Sequence, residues 1–304
     1  MQFNSKKFEC IRYGPQNTSA TARKYTSNDG SSIKEVEHVR DLGIIMSRDG
    51  TFREHITNVT ESARSLCGWV LRTFRTRDKL PMLTLWKSLI RSKLEYCCQL
   101  WCPSRKGDIQ MLEQIQRNYI RKIRGTERLN YWEQLQALGM HSLERRRERY
   151  LIIYTWRIIE GQVPNISPDH NGIQTKWHIR RGRTCRIPVV NPRAPTAIKT
   201  IRYSSFAILG PQLFNTLPAE IRNLTACTVD SFKRSLDKYL KSIPDEPQIR
   251  GYTAMRRAES NSLLHMSQLT PAQSTFTLEE PVSSWERPPM ATLGVVPEAI
   301  HKYP

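Results

Sequence analysis

Residues 51–74 read TFREHITNVTESARSLCGWVLRTF, and the apolar side chains in this stretch recur at intervals of three and four. Ile56, Val59, Ala63, Leu66, Val70 and Phe74 therefore share one face of a 3.6-residue helix, a pattern expected of a buried face. Beyond it, residues 78–103 read DKLPMLTLWKSLIRSKLEYCCQLWCP and residues 108–125 read DIQMLEQIQRNYIRKIRG. Asp78 is placed to cap a second helix, with Pro81 in the first turn, where a missing N–H costs least. That helix presents Leu85, Trp86, Leu89, Ile90, Leu94, Cys97 and Cys98 on its apolar side and is expected to run until Pro103 stops it. The third opens at Asp108, carries Ile109, Leu112, Ile115, Tyr119 and Ile123, and closes on Gly125. Short connections make the three antiparallel neighbours, so residues 51–125 form a small bundle. Its outer faces are basic: Arg64, Arg72, Arg75, Arg77, Lys79, Lys87, Arg91, Lys93, Arg105, Lys106, Arg117, Arg121, Lys122 and Arg124.

The whole chain has 304 residues, a formal charge of +19 and 38% hydrophobic residues. Its pI is near 9.9 and its mean hydropathy is −0.55. That length permits two domains, but the apolar share is lean for one fully compact unit. The charge favours a polyanionic partner, nucleic acid before an anionic membrane surface. No run approaches the roughly 18 apolar residues of a membrane span, and the first residues lack the apolar core of a signal peptide. The expectation is an intracellular chain, nuclear or cytoplasmic, with its seven cysteines as free thiols. Cys97, Cys98 and Cys102 have neither a histidine at ligand spacing nor a second cysteine pair, so they read as helix-face thiols and not as a zinc site.

Other segments have their own grammar. Residues 1–50 alternate short β-leaning runs with Asn28-Asp29-Gly30 and Arg48-Asp49-Gly50 turns, which suggests a three- or four-stranded antiparallel piece. Residues 126–169 form a helical extension: Asn130 and Glu133 make a capping box, and Ser142 caps a helix from Leu143 to about Glu160. That helix begins with Arg145, Arg146, Arg147 and Arg149, a charge run that is either a solvated face or a phosphate-binding one. Residues 170–203 follow as an extended basic arm. From 170 to 219 there is no acidic residue and there are eight basic ones, among them Arg180, Arg181, Arg183 and Arg186 beside Trp177. Such a composition suits phosphate contacts with a base stacked on the indole. Residues 204–243 return to helix, and residues 244–304, rich in proline, read as a disordered tail.

Chemistry is conspicuous by what is missing. No glycine-rich phosphate loop, HExxH or GxSxG motif occurs, no two aspartates are adjacent, and the histidines are scattered. We assign no catalytic residue and no metal ligand.

Several blocks, taken in order, carry a resemblance. They are Met1 to Cys10, Val39-Arg40-Asp41-Leu42-Gly43-Ile44, Leu89 to Cys97 with Leu100-Trp101-Cys102-Pro103, Leu112 to Arg121, Leu138 to Arg147, and Phe214-Asn215-Thr216-Leu217-Pro218 with Leu236 to Leu240. Together they resemble the C-terminal part of a non-LTR (LINE-type, Jockey-like) retrotransposon reverse transcriptase. The resemblance implies a mainly α fold with a small N-terminal antiparallel β portion. Residues 1–50 would be the end of the polymerase palm and residues 51–125 the thumb. It implies an RNA or RNA/DNA template-primer as partner, and the missing palm and fingers part as another. In that family the catalytic aspartates holding Mg²⁺ lie upstream of this region, so no cofactor is expected in this chain and the chain alone is expected to be inactive. The alternative kept open is a domesticated helical scaffold that binds protein without nucleic-acid function.

Overall fold

In the computed structural model, which describes residues 7–13, 24–28, 30–163, 205–246 and 261–269, helix α1 spans Arg53–Thr73. It buries His55, Ile56, Thr60, Ala63, Cys67 and Val70; of the apolar face expected from periodicity, Val59 and Leu66 are half-buried, and the expected burial of Phe74 is corrected, because it ends the helix and is 36% exposed. The second segment is less regular than a single helix. α2 (Lys79–Leu85) passes through a π-helical turn at Trp86–Ile90 into α3 (Arg91–Glu95). The wider π turn puts Trp86, Ile90 and Leu94 inward at steps of four, each fully buried, and leaves Leu89 36% exposed. The expected burial of Leu89 is thus corrected. The chain then breaks at Cys97, which has φ 49°, before α4 (Cys98–Trp101), so the helix stops well short of Pro103. Cys97 is exposed and Cys98 buried.

α5 (Lys106–Ile120) lies against α1 and buries Leu112, Ile115, Tyr119 and Ile120. The expected caps are corrected at both aspartates. Asp78 precedes α2 but makes no capping bond, accepting instead from the Thr76 hydroxyl and the Arg124 guanidinium. Asp108 sits inside the first turn of α5, where the helix N-terminus favours a negative charge. Tyr119 ties the bundle together: its ring packs 5.1 Å from that of Trp86 and its hydroxyl donates to the Met82 carbonyl at 3.0 Å.

The N-terminal β portion is smaller than a four-stranded sheet. β3 (His38–Asp41) and β4 (Ile44–Ser47) form an antiparallel hairpin whose turn, Leu42 and Gly43, has φ positive at both positions. β1 (Glu9–Cys10) and β2 (Lys34–Glu35) pair in parallel, which corrects the all-antiparallel expectation for this piece. Two contacts dock the hairpin on the helices. The Ile45 N–H donates to His55 Nδ1, and the Tyr96 hydroxyl donates to the Leu42 carbonyl.

α6 (Tyr131–Leu138) has the capping box expected of Asn130 and Glu133, with Gly139 left-handed at its end. α7 (Leu143–Ile159) is capped by Ser142 and links two hydrophobic cores. The first core runs from Ile44 of β4 through the bundle to Leu143, taking in Tyr131, Leu135 and Leu138 of α6. The second begins at Leu151 and gathers α8 (Phe206–Asn215), α9 (Ala219–Arg222), α10 (Val229–Ser242) and α11 (Leu263–Leu269). Its centre is Trp156 stacked on Phe232, with ring centroids 4.5 Å apart. α7 and α8 approach so closely that a Cβ at Gly210 would lie 2.5 Å from Thr155 Oγ1. Part of the segment read as a disordered tail is ordered: Leu263 and Met266 of α11 are buried in the second core. The architecture is mainly α with a small β portion. Among the described residues, no helix is long and apolar enough to cross a membrane.

Candidate nucleic-acid interface

Two groups of basic residues were expected to meet phosphates. Trp177, Arg180, Arg181, Arg183 and Arg186 lie outside the described residues. Arg145, Arg146, Arg147 and Arg149 are in α7, and they do not form an open basic face.

Arg145 is 0% exposed and Arg147 2%. The Arg145 guanidinium donates to the carbonyls of Ile243 (3.4 Å), Pro244 (3.0 Å) and Asn261 (3.0 Å), and its Nε lies 3.8 Å from Asp245. Asp245 in turn accepts the Ser142 N–H and hydroxyl at 2.6 and 2.8 Å. Arg146 makes a two-pronged contact with Glu95, and Arg149 makes one with Asp237. Arg145, Arg146 and Arg149 are therefore engaged by carboxylates and carbonyls that are remote in sequence, and Arg147 is buried. This corrects the reading of those four side chains as an open phosphate-binding face, because Arg145 and Arg147 are buried and the charges of Arg146 and Arg149 are paired with carboxylates.

The same helix start holds two buried carboxylic groups. Glu113 accepts from the Tyr131 hydroxyl and the Leu143 N–H, and burial pushes its carboxyl up to about 7. Glu148 accepts from the Ser262 hydroxyl and the Leu263 N–H and is raised to about 7 for the same reason. These groups join α5, α6, α7 and α11.

Open positive charge lies elsewhere, at one end of the bundle. In an up-down-up arrangement the first and third helices finish at the same end. There the chain places Arg72, Arg75, Arg77 and Lys79 against Arg121, Lys122, Arg124 and Arg128. The two segments are hydrogen-bonded: the Arg124 N–H donates to the Arg77 carbonyl at 2.8 Å, and the Arg124 guanidinium reaches Asp78 at 2.9 Å. Segments 72–79 and 121–128 hold eight basic residues and two carboxylates, Asp78 and Glu127, a net charge of +6.

Three of the basic groups are structural. Arg77 caps the end of α1 by donating to the carbonyls of Leu71, Phe74 and Thr76, Lys79 donates to the Ala137 carbonyl at 2.7 Å, and Arg124 holds Asp78. Arg72, Arg75, Arg121 and Lys122 are exposed and take part in no ion pair among the described residues. Four such cations on a fixed end can each neutralise one phosphate. The basic outer faces were legible in the sequence, but their gathering at one end was not singled out. Helix order alone, with the first and third helices ending together, was the available signal.

Comparison with known proteins adds a relation. No protein-family profile and no solved structure matches the chain. It is 28% identical over 89 residues to a probable RNA-directed DNA polymerase from transposon X-element of Drosophila melanogaster, covering 28% of this chain and 10% of that protein. It is 26% identical over 100 residues to the RNA-directed DNA polymerase from mobile element jockey of Drosophila funebris, covering 32% of this chain and 11% of that protein. An uncharacterized protein of Caenorhabditis elegans is 25% identical over 134 residues, which are 42% of this chain and 68% of that protein. The chain thus spans about a tenth of each polymerase it matches. Over part of its length, this chain is similar to the RNA-directed DNA polymerases of the jockey and X-element mobile elements.

Proposed function

We propose that the chain is a template-primer-binding part of a reverse transcriptase of the non-LTR type, with the bundle as its thumb. The basic end of that bundle is the surface that holds the nucleic-acid backbone. The observation that carries this reading is the junction of segments 72–79 and 121–128, where the Arg124-to-Arg77 main-chain bond ties together two segments that each carry exposed, unpaired cations. Phosphate contacts of this kind position a duplex without reading its sequence.

The test replaces Arg72, Arg75, Arg121 and Lys122 by Ala together and measures affinity for an RNA/DNA primer-template over a range of salt. Loss of four phosphate contacts flattens the plot of log K against log salt by about 3 to 4 units, at roughly 0.7–0.9 per contact. A slope equal to that of the parent chain refutes the assignment. In the same reading, the chain supplied with Mg²⁺, primer-template and deoxynucleotides extends nothing, because nucleotidyl transfer needs paired metal-binding aspartates. Template-dependent incorporation above a no-protein control would overturn that part.

A second reading, a helical scaffold for another protein, is favoured by one observation. Leu42, Tyr96 and Leu100 are exposed, and the Tyr96 hydroxyl bonds the Leu42 carbonyl, so the first two lie together. Binding through such apolar groups is insensitive to salt, which separates the two readings.

A further inference from the structure

The basic end also carries an aromatic pair that no core absorbs. Trp69, in the last turns of α1, is 48% exposed, and Phe74, the residue that ends the helix, is 36% exposed. Their rings meet edge to face, with centroids 6.2 Å apart and planes at 85°. Phe74 is itself held in place: its N–H donates to the Val70 carbonyl at 2.9 Å and its carbonyl accepts from Arg77. The indole is thereby supported from one side by a fixed neighbour.

Charge surrounds this pair closely. Arg72 follows Trp69 by three residues on α1, a spacing that puts both on the same side of the helix, and its guanidinium folds back along α1 to where a Cβ at Gly68 would come within 3.2 Å of Nη1. Arg75 is exposed directly after Phe74, and Leu80, across the short connection, is among the most exposed hydrophobic residues of the chain.

From this arrangement we propose that Trp69 is a stacking platform for an unpaired base of a single-stranded nucleic acid whose phosphates lie on Arg72 and Arg75. The proposal rests on the nucleic-acid reading of the basic end and adds to it the class of ligand. A duplex hides the faces of all but its terminal base pairs inside the stack, so along the length of a strand an unpaired base is the one that can lie on the indole. The net positive charge of the same end selects a polyanion to cover the apolar surface, and a nucleic acid is the polyanion with aromatic faces of its own. Every base has such a face, so recognition is expected to be indifferent to sequence.

The experiment uses the full chain, a short fluorescent oligoadenylate, and a long blunt RNA duplex, each titrated at several salt concentrations. Trp69→Ala is expected to weaken oligoadenylate binding by about 5- to 150-fold, the range set by loss of one base–aromatic stack. Its salt slope stays at the parent value, and duplex affinity changes less than about twofold. Trp69→Phe retains an aromatic face and restores most of the affinity. Circular dichroism identical to the parent confirms that the half-exposed indole is not needed for folding. Unchanged oligoadenylate affinity in Trp69→Ala, or an equal loss on both ligands, overturns the stacking proposal while leaving the basic end in place. Failure of the parent chain to bind either ligand overturns the basic-end reading itself, and the stacking proposal with it.

Discussion

Replacing Arg145 by Ala separates a structural role from a phosphate-binding one in a single variant. Its guanidinium is fully buried, serves the carbonyls of Ile243, Pro244 and Asn261, and lies beside Asp245. Truncation leaves three carbonyls without their donor and a partly buried carboxylate without its cation. Removing one partner of a buried ion pair costs about 3–5 kcal/mol, and each carbonyl deprived of its donor costs about 1 kcal/mol or more within that sum. Asp245 keeps the Ser142 N–H and hydroxyl, which holds the loss within that range. With a urea slope of about 2 kcal/mol/M, the unfolding midpoint falls by about 1.5–2.5 M. Hydrogen exchange rises most in α11, because Asn261 precedes it and its first turn depends on Glu148. Arg145→Lys recovers only part of the loss, since a single ammonium cannot reach three carbonyls at once. Nucleic-acid binding by the folded variant retains the parent salt slope. A midpoint shift under about 0.5 M together with a slope reduced by about 0.9 would falsify the burial argument and return Arg145 to the phosphates.

Further measurements test the remaining structure. Leu94→Asp unfolds the bundle, because an unpaired carboxylate at a fully buried site costs several kcal/mol. Leu89→Asp, turned outward by the π turn, costs less than about 1 kcal/mol in a thermal melt, and a collapse of helicity in that variant would mean the turn is misplaced. Glu113 and Glu148 are raised by burial from 4.5 to about 7, so the folded chain holds their protons more tightly than the unfolded one. Their contribution is therefore complete below about pH 4.5 and is lost as pH rises to about 7, on the order of 3 kcal/mol for each group. The stability difference between the parent and Glu113→Gln should change across that window with this sign, and a difference flat from pH 4.5 to 7 rules it out. Alkylation of the native chain should modify Cys97 readily and spare Cys67 and Cys98, whose thiols are buried and pushed up to about 12. Mass spectrometry showing Cys98 labelled as fast as Cys97 would contradict the packing of α4.

Local chemistry was the legible part of the fold. The stripe of α1, the capping box at Asn130 and Glu133, the Ser142 cap and the left-handed Gly139 all depend on residues within one or two turns of each other. Each is therefore written in the sequence directly. Leu89 shows where such reasoning stops. Its spacing fits a helix of constant pitch, yet a π turn at Trp86–Ile90 interrupts that pitch, and Trp86, Ile90 and Leu94 are the residues buried while Leu89 is not. Asp78 shows the same for caps: the residue type was right, but Arg124 and Thr76 took its oxygens.

The sequence by itself determined that this is a basic, mainly helical chain, because periodicity and net charge are sums over residues that need no partner. It also carried the resemblance to mobile-element reverse transcriptases, since ordered blocks are a property of the string. Only the tertiary structure decided what each arginine does. Five residues written as Arg145-Arg146-Arg147-Glu148-Arg149 look like a surface, but Glu95, Asp237 and Asp245 converge on the arginines of that run from other elements. Arg72, Arg75, Arg121 and Lys122, unremarkable in the sequence, stay open because none of the described carboxylates forms an ion pair with them. The free charge of a side chain is set by which opposite charge the fold brings within a few ångströms, and that distance is not a property of sequence order.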